Sequence, residues 1–220
     1  PPISASEPPA EAFSLERAAR YLDAAALHWQ KENNCGTCHT NFAYLTTGSG
    51  YGADRPAFTA VRKFTEDLVS ERWAAKGPRW DAEVLVAAMA LAVSDAEGAG
   101  KLHPLTGKAR DRMWTVQKPD GGWNWLKCGW PPMESDDYYG ATIALLATGR
   151  APENYASTPA AQEGVKKVRE YLAKNAPPSL HHKGMLFWAS KHIDGLMTAE
   201  EQKKTVEELL AQHRVHGAGQ

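Results

Sequence analysis

The chain has 220 residues, of which 43% are hydrophobic and 23% are charged, and its formal net charge is −1. This composition is typical of a globular protein with a substantial core, and the near-neutral charge excludes the strongly basic surface that favours nucleic-acid binding. No apolar run approaches the length of a membrane-spanning helix, so we expect no membrane insertion. The chain begins at Pro1 and not at Met, which predicts a processed or excised N-terminus.

Two parts are expected along the chain. Residues 1–12, PPISASEPPAEA, are rich in Pro, Ala, Ser and Glu and are typical of a flexible linker. Residues 13–220 are expected to form one all-α domain, because apolar residues recur at helical spacing and Pro, Gly and Asn fall between the apolar stretches. The predicted helices are 14–30, 38–47, 57–76, 80–95, 106–117, 137–148, 160–174, 182–193 and 199–212.

The chain also resembles itself at an offset of about one hundred residues. NFAYLTTG at 41–48 matches TIALLATG at 142–149, and VRKFTEDL at 61–68 matches VKKVREYL at 165–172. Helical units that repeat in this way bury their apolar faces against their neighbours. The repetition therefore predicts stacked helical hairpins.

The strongest chemical signal is ENNCGTCHT at residues 32–40, where Cys35, Cys38 and His39 have the C-x-x-C-H spacing of a c-type haem attachment site. We predict one covalent haem c, bound through thioethers from Cys35 and Cys38, with His39 as an iron ligand. The alternative is half of a zinc site, but zinc needs a second Cys/His pair and Cys128 is the one remaining cysteine. Because haem c is attached outside the cytoplasm, a periplasmic or otherwise extracytoplasmic location is expected.

A second motif lies in KARDRMWTVQKPDGGWNW at 108–125, whose Gln-x-x-Asp-Gly-Gly-Trp ending resembles the QW repeat of squalene–hopene cyclases and related prenyltransferase α/α toroids. Arg112 departs from the aromatic that is usual in that repeat. The resemblance implies an α/α toroid-like array of helical hairpins, closed or incomplete as a ring, in which Trp123 folds back to close its hairpin. In an earlier copy of this repeat, Gln30-Lys31 would correspond to Gln117-Lys118. The C-x-x-C-H motif would then stand in place of the loop that Trp123 closes in the later copy.

The second axial ligand of the iron is less constrained by the sequence. We favour His181, because its helical face continues through Met185, Trp188 and His192 and is too polar for ordinary packing. His182 shares its face with Leu186, Ala189 and Ile193, which indicates packing. The other candidates are His182, Met133, Cys128, His28, His213 and His216, and a five-coordinate iron stays open. His103 and His192 are expected at the opposite rim.

Three acidic residues, Glu134, Asp136 and Asp137, partly resemble the D-x-D-D acid motif of the cyclases. In those enzymes a protonated carboxylic acid starts the cyclisation. Acidic residues at a helix N-terminus also complement the helix dipole with no catalytic role, and that interpretation is favoured here.

These observations favour an extracytoplasmic monohaem c-type cytochrome that transfers electrons to a redox partner protein or to a further domain of a longer chain. One alternative is a haem enzyme or a sensor of peroxide, NO or CO with an open sixth site. A second is a non-redox interaction module in which haem stabilises the fold. A terpene cyclase is the most distant alternative.

Overall fold

The computed structural model describes residues 12–34, 40–47, 50, 52, 54–127 and 136–217, with side chains up to residue 212. Within these residues all regular structure is helical, which confirms the all-α prediction. The helices are α1 (Leu15–Asn33), α2 (Asn41–Thr47), α3 (Pro56–Asp67), a π-helix (Leu68–Arg72), α4 (Trp73–Lys76), α5 (Asp81–Glu97), α6 (Pro104–Thr115), α7 (Asp137–Gly149), a 3₁₀ turn (Tyr155–Ser157), α8 (Pro159–Lys174), α9 (Leu180–Ala189) and α10 (Ala199–Gly217).

Local capping signals explain most of the helix boundaries. Ser14, Thr158 and Ser179 each accept a hydrogen bond at the start of the helix that follows, which satisfies an amide with no partner inside the helix. At the end of α1, Asn34 adopts the left-handed conformation, with φ 43°, and its amide donates to the carbonyl of Gln30. Such a cap ends the helix directly before Cys35.

Several predicted helices differ in their bounds from those in the structure: 14–30 extends to Asn33, 106–117 is found at Pro104–Thr115, and 199–212 extends to Gly217. The stretch 57–76 was expected to be one helix, but the π-helix at Leu68–Arg72 separates α3 from α4. The helix expected at 182–193 begins earlier, at Leu180, and ends at Ala189, because Ser179 caps its start. The expected linker 1–12 lies outside the described residues except for Ala12.

Four helices contact one another in series: α5 packs against α2 and α7, and α7 packs against α9. Most residues of α5 and α7 are buried on every side, as expected for helices surrounded by others. Helices α6, α8 and α10 pack against α5, α7 and α9 respectively. We call the four helices of the series inner helices and the three that pack against them outer helices, while the toroid-like arrangement stays a prediction.

The inner helices α5, α7 and α9 run in the same direction. An ion pair between Arg150 and Glu97 joins the ends of α7 and α5, and Asp136 Oδ2 lies 2.7 Å from His182 Nε2 where α7 and α9 begin. We call the end of the molecule where these helices begin the amino rim. The end of α1 lies at the same rim, because Asn34 and Arg79, two residues before α5, border one groove.

The self-similar segments occupy corresponding helices. The segment 41–48 lies largely in α2 and its match at 142–149 in α7, and both of these helices pack against α5. The second pair lies in α3 and α8, where Val61 and Val165 are both buried. The internal similarity therefore reflects a repeated helical arrangement.

Candidate functional site

The loop after Gln117-Lys118 is held closed by its own backbone and by α8. Gln117 Nε2 donates to the carbonyls of Gly121 at 3.0 Å and of Gly164 at 3.1 Å. Gly121 has φ 92°, and a Cβ at this position would lie 2.1 Å from the carbonyl oxygen of Lys167. Only glycine permits this turn to press against α8.

Trp123 closes the same hairpin, as the sequence predicts. Its side chain is fully buried, its Nε1 donates to the carbonyl of Met113 at 3.0 Å, and its ring lies 6.0 Å from that of Trp114. The loop is thereby anchored to the outer helix from which it emerges.

The corresponding position after Gln30-Lys31 is closed by a different residue. Asn41 is fully buried, and its Nδ2 donates to the carbonyl of Ala26 at 3.3 Å and to Gln30 Oε1 at 3.4 Å. Ala26 precedes Gln30 by four residues, just as Met113 precedes Gln117. An asparagine of the inner helix α2 thus makes, in the first repeat, the contact that Trp123 makes in the second.

The three predicted haem-binding residues Cys35, Cys38 and His39 lie outside the described residues. The structure describes their immediate neighbours, Asn34 at the end of α1 and Thr40 before α2. The C-x-x-C-H segment therefore lies in the chain between the end of α1 and the start of α2.

His182 is occupied by contacts within the fold. Its ring is buried, with Nδ1 2.7 Å from Ser179 Oγ and Nε2 2.7 Å from Asp136 Oδ2. It also packs edge-on against Tyr138 and Tyr139. Both ring nitrogens are engaged, so His182 holds α9 to α7, in agreement with the packing role expected for it.

His181 is exposed at the amino rim, in the first turn of α9. Its ring centroid lies 5.6 Å from that of Tyr139 in α7. In the series of inner helices, α5 and α7 stand between α9 and α2, and neighbouring helix axes are about 8–10 Å apart. His181 would therefore approach the start of α2 only if this series of helices curves.

The remaining candidate ligands are placed as follows. His28 is exposed on α1. Cys128 and Met133 lie outside the described residues, as do the side chains of His213 and His216.

The two histidines expected at the opposite rim lie there. His103 accepts from the amide of Leu105 at the start of α6 and its own amide donates to Asp95, near the end of α5. His192 lies beside Gly149 at the end of α7, where burial and, to a lesser extent, Arg150 lower its pKa. Both are therefore remote from the start of α9.

The acidic residues at the start of α7 have structural contacts. Asp136 caps the helix by accepting from the amide of Tyr139. Asp137 forms ion pairs with Lys127 at 2.9 Å and with Lys118 at 3.1 Å. Burial raises the pKa of Asp137, but the hydrogen bonds from these two lysines outweigh the effect of burial. The pKa therefore lies below its ordinary value. An ionised Asp137 cannot serve as the acid of a cyclase, and Glu134 lies outside the described residues.

The sequence did not predict a groove of about 480 Å³ at the amino rim, bordered by Asn34 and by the stretch from α3 to the start of α5. The π-helix contributes Leu68, Glu71 and Arg72 to its wall. A π-helix depends on packing around it and has no simple residue signature, so a single sequence gives no signal for this feature.

Within the part of the chain that the structure describes, no group of three or more His, Cys, Asp or Glu side chains is arranged to hold a metal ion. In the same part, no helix has both the length and the apolar character needed to cross a bilayer. No protein-family model, no curated protein and no solved structure matches the chain.

Proposed function

We propose that this chain is an extracytoplasmic monohaem c-type cytochrome module that transfers electrons. The observation that supports the proposal most is the position of C-x-x-C-H in the first of two equivalent hairpins. There the closing contact to the Ala26 carbonyl is made by Asn41 of α2, which lies outside the motif, whereas in the second hairpin it is made by Trp123 of the loop itself. Two thiols and an imidazole at this spacing match the chemistry of covalent haem attachment.

The residues of the chain would have distinct roles toward the cofactor. Cys35 and Cys38 would hold it through thioether bonds, and His39 would ligate the iron. His181 is our candidate for a second iron ligand, provided that the inner helices curve. Bound haem c would supply a reversible one-electron change at iron, and a helical surrounding would limit reorganisation and tune its potential.

A second candidate function is a haem sensor or enzyme with an open sixth site. Two observations favour it: both ring nitrogens of His182 are engaged within the fold, and α5 and α7 stand between α9 and α2.

A redox partner protein, or a further domain of a longer chain, would receive the electron in the preferred function. A periplasmic or otherwise extracytoplasmic location belongs to the same proposal, because haem c is attached outside the cytoplasm.

Visible spectra of oxidised and reduced protein separate these functions. With two strong axial ligands, the wild type is expected to be low-spin, to react slowly with CO when reduced and to show no significant peroxidase turnover. His181→Ala should become high-spin, and His192→Ala, at the opposite rim, should leave the spectrum unchanged. A wild type that is high-spin, binds CO rapidly and turns over peroxide would instead support the sensor or enzyme. Redox silence with intact folding would support an interaction module.

A further inference from the structure

A second groove, of about 490 Å³, is bordered by α8, α9 and α10 and by the start of α7. We call it the α8–α10 groove. Its volume is in the range of small-molecule sites. None of the candidate iron ligands whose side chains the structure describes borders it, so what it binds is a separate question from the proposed function.

Contacts within the fold join the walls of the α8–α10 groove. Arg169 of α8 donates to the carbonyls of Asp194 and Gly195, in the turn that precedes α10. Lys183 of α9 forms an ion pair with Glu208 of α10 at 2.7 Å. Walls that are joined before a ligand enters lose less conformational entropy on binding.

Most of the surface of the groove is apolar. Leu172 and Ala173 come from α8, Leu186 comes from α9, and Leu196 and Met197 come from the turn before α10. Apolar surface of this kind favours a ligand with a hydrocarbon or aromatic body.

Two buried residues that border the groove carry hydroxyl groups. Tyr138 and Thr205 are each 3% exposed, and neither hydroxyl has a hydrogen-bond partner among the residues that the structure describes. Burial, followed by the smaller effects of Tyr171 and Asp136, raises the pKa of Tyr138. Its hydroxyl therefore stays protonated at neutral pH and can donate. Buried polar residues without a partner are rare in folded proteins, so the two hydroxyls indicate an acceptor in the groove.

The charged side chains around the groove differ in their existing contacts. Glu201 accepts from the amide and the hydroxyl of Thr198, at 2.7 Å and 2.9 Å, and Glu208 accepts from Lys183. Lys204 is exposed and makes no hydrogen bond or ion pair with the described residues, although its charge reaches Glu208. Hydroxyl donors and a cation beside an apolar wall are complementary to a carboxylate on an apolar body.

We propose that the α8–α10 groove binds a small carboxylate that has an apolar body. The body packs against Leu172 and Leu186. The carboxylate accepts from the hydroxyl groups of Tyr138 and Thr205 and lies close to the ammonium group of Lys204.

Isothermal titration calorimetry of the whole protein with decanoate tests this proposal. The wild type should bind decanoate at a single saturable site. Tyr138→Phe keeps the ring that packs on His182 but removes the hydroxyl, so the affinity should fall about tenfold, as expected for one hydrogen bond to a charged group. Lys204→Gln should also weaken binding and make it less sensitive to salt.

Each variant has a matched control. Tyr171→Phe removes the hydroxyl of a neighbouring tyrosine that does not border the groove, and Lys203→Gln removes the cation next to Lys204 in α10, which does not border it either. Both controls should bind decanoate with the wild-type affinity.

Binding that Tyr138→Phe and Lys204→Gln weaken, and that the two controls leave unchanged, supports the proposal. No decanoate binding, or equal losses in variants and controls, would overturn the site. Decyltrimethylammonium binding as tightly as decanoate would overturn the assignment of a carboxylate. Since Lys204 is exposed, its variant keeps the test decisive if Tyr138→Phe does not fold.

Discussion

Two hairpins, one after Gln30-Lys31 and one after Gln117-Lys118, are closed by a hydrogen bond to a carbonyl of the preceding helix. The carbonyl lies four residues before the glutamine in both cases, but the donor differs. In the second hairpin, Trp123 folds back from the loop and donates to Met113. In the first, Asn41 reaches the equivalent carbonyl of Ala26 from the inner helix α2. The donor of the second hairpin thus belongs to the loop, whereas the donor of the first belongs to the helix that follows.

This difference determines what a change in the second loop would cost. A loop that carries its own buried tryptophan cannot change without losing a large apolar contact. In the first hairpin the described closing contact comes from Asn41 of α2, and the C-x-x-C-H residues lie outside the described residues. The second hairpin is also tied to α7 through the pair of Lys118 and Asp137, which adds a further structural requirement there.

Trp123→Ala should produce the largest effect, because it removes a fully buried ring and the hydrogen bond to Met113. A loss of about 3–5 kcal/mol in the free energy of unfolding is expected for such a truncation. Denaturant unfolding followed by circular dichroism measures it. Trp80→Ala is the control, since Trp80 is 53% exposed and should change stability little; similar losses for both would contradict the closing role of Trp123.

Asn41→Ala should have an intermediate effect. It removes the contacts to Ala26 and Gln30, but Asn41 Oδ1 has no hydrogen-bond partner among the residues that the structure describes, so part of the loss is offset. We expect a decrease of about 1–2 kcal/mol in the free energy of unfolding. Thr142 of α7 is the residue that matches Asn41, and its hydroxyl donates within its own helix to the carbonyl of Tyr139. Thr142→Ala should therefore lower the free energy of unfolding less than Asn41→Ala. A larger loss for Thr142→Ala would contradict the closing role of Asn41.

Asp137→Asn should have the smallest effect, visible as a change in acid sensitivity. Burial raises the pKa of Asp137, but hydrogen bonds from Lys127 and Lys118 bring it below 3.8. The ionised carboxylate therefore stabilises the fold above about pH 4, and this contribution is lost as the pH falls through the lowered pKa.

Between pH 6 and pH 3, the melting temperature of the Asp137→Asn variant should consequently fall less steeply than that of the wild type. The corresponding difference in the free energy of unfolding should stay below about 1 kcal/mol, because the ion pair is partly exposed. Asp111→Asn, an exposed position on α6, should keep the wild-type slope. Identical slopes for Asp137→Asn and the wild type would show that the second hairpin is not held electrostatically.

Much of the fold could be predicted from the sequence, because its signals are local. Apolar periodicity, with Pro, Gly and Asn between the apolar stretches, gave most helices to within a few residues, and the role of Trp123 followed from the repeat motif. The contacts that define the rim could not be predicted. Asp136 and His182 are 46 positions apart, and such a pairing depends on how the helices pack.

The π-helix and its groove were missed for the same reason, since an extra residue in a helical turn is decided by its surroundings and not by residue type. The choice of Asn41 as the closing residue was missed as well. The sequence shows an asparagine near the start of a helix but not which carbonyl its side chain contacts, so its closing role could not be predicted. The residues that carry the haem prediction, Cys35, Cys38 and His39, are in contrast recognised from their spacing alone.

The intact mass of the denatured protein, produced in a compartment that attaches haem, tests the central claim most directly. The account predicts the chain mass of 24.1 kDa plus one haem, and the loss of that addition when Cys35 and Cys38 are both changed to Ser. The chain mass alone, with any pigment extracted into acidified organic solvent, would contradict it.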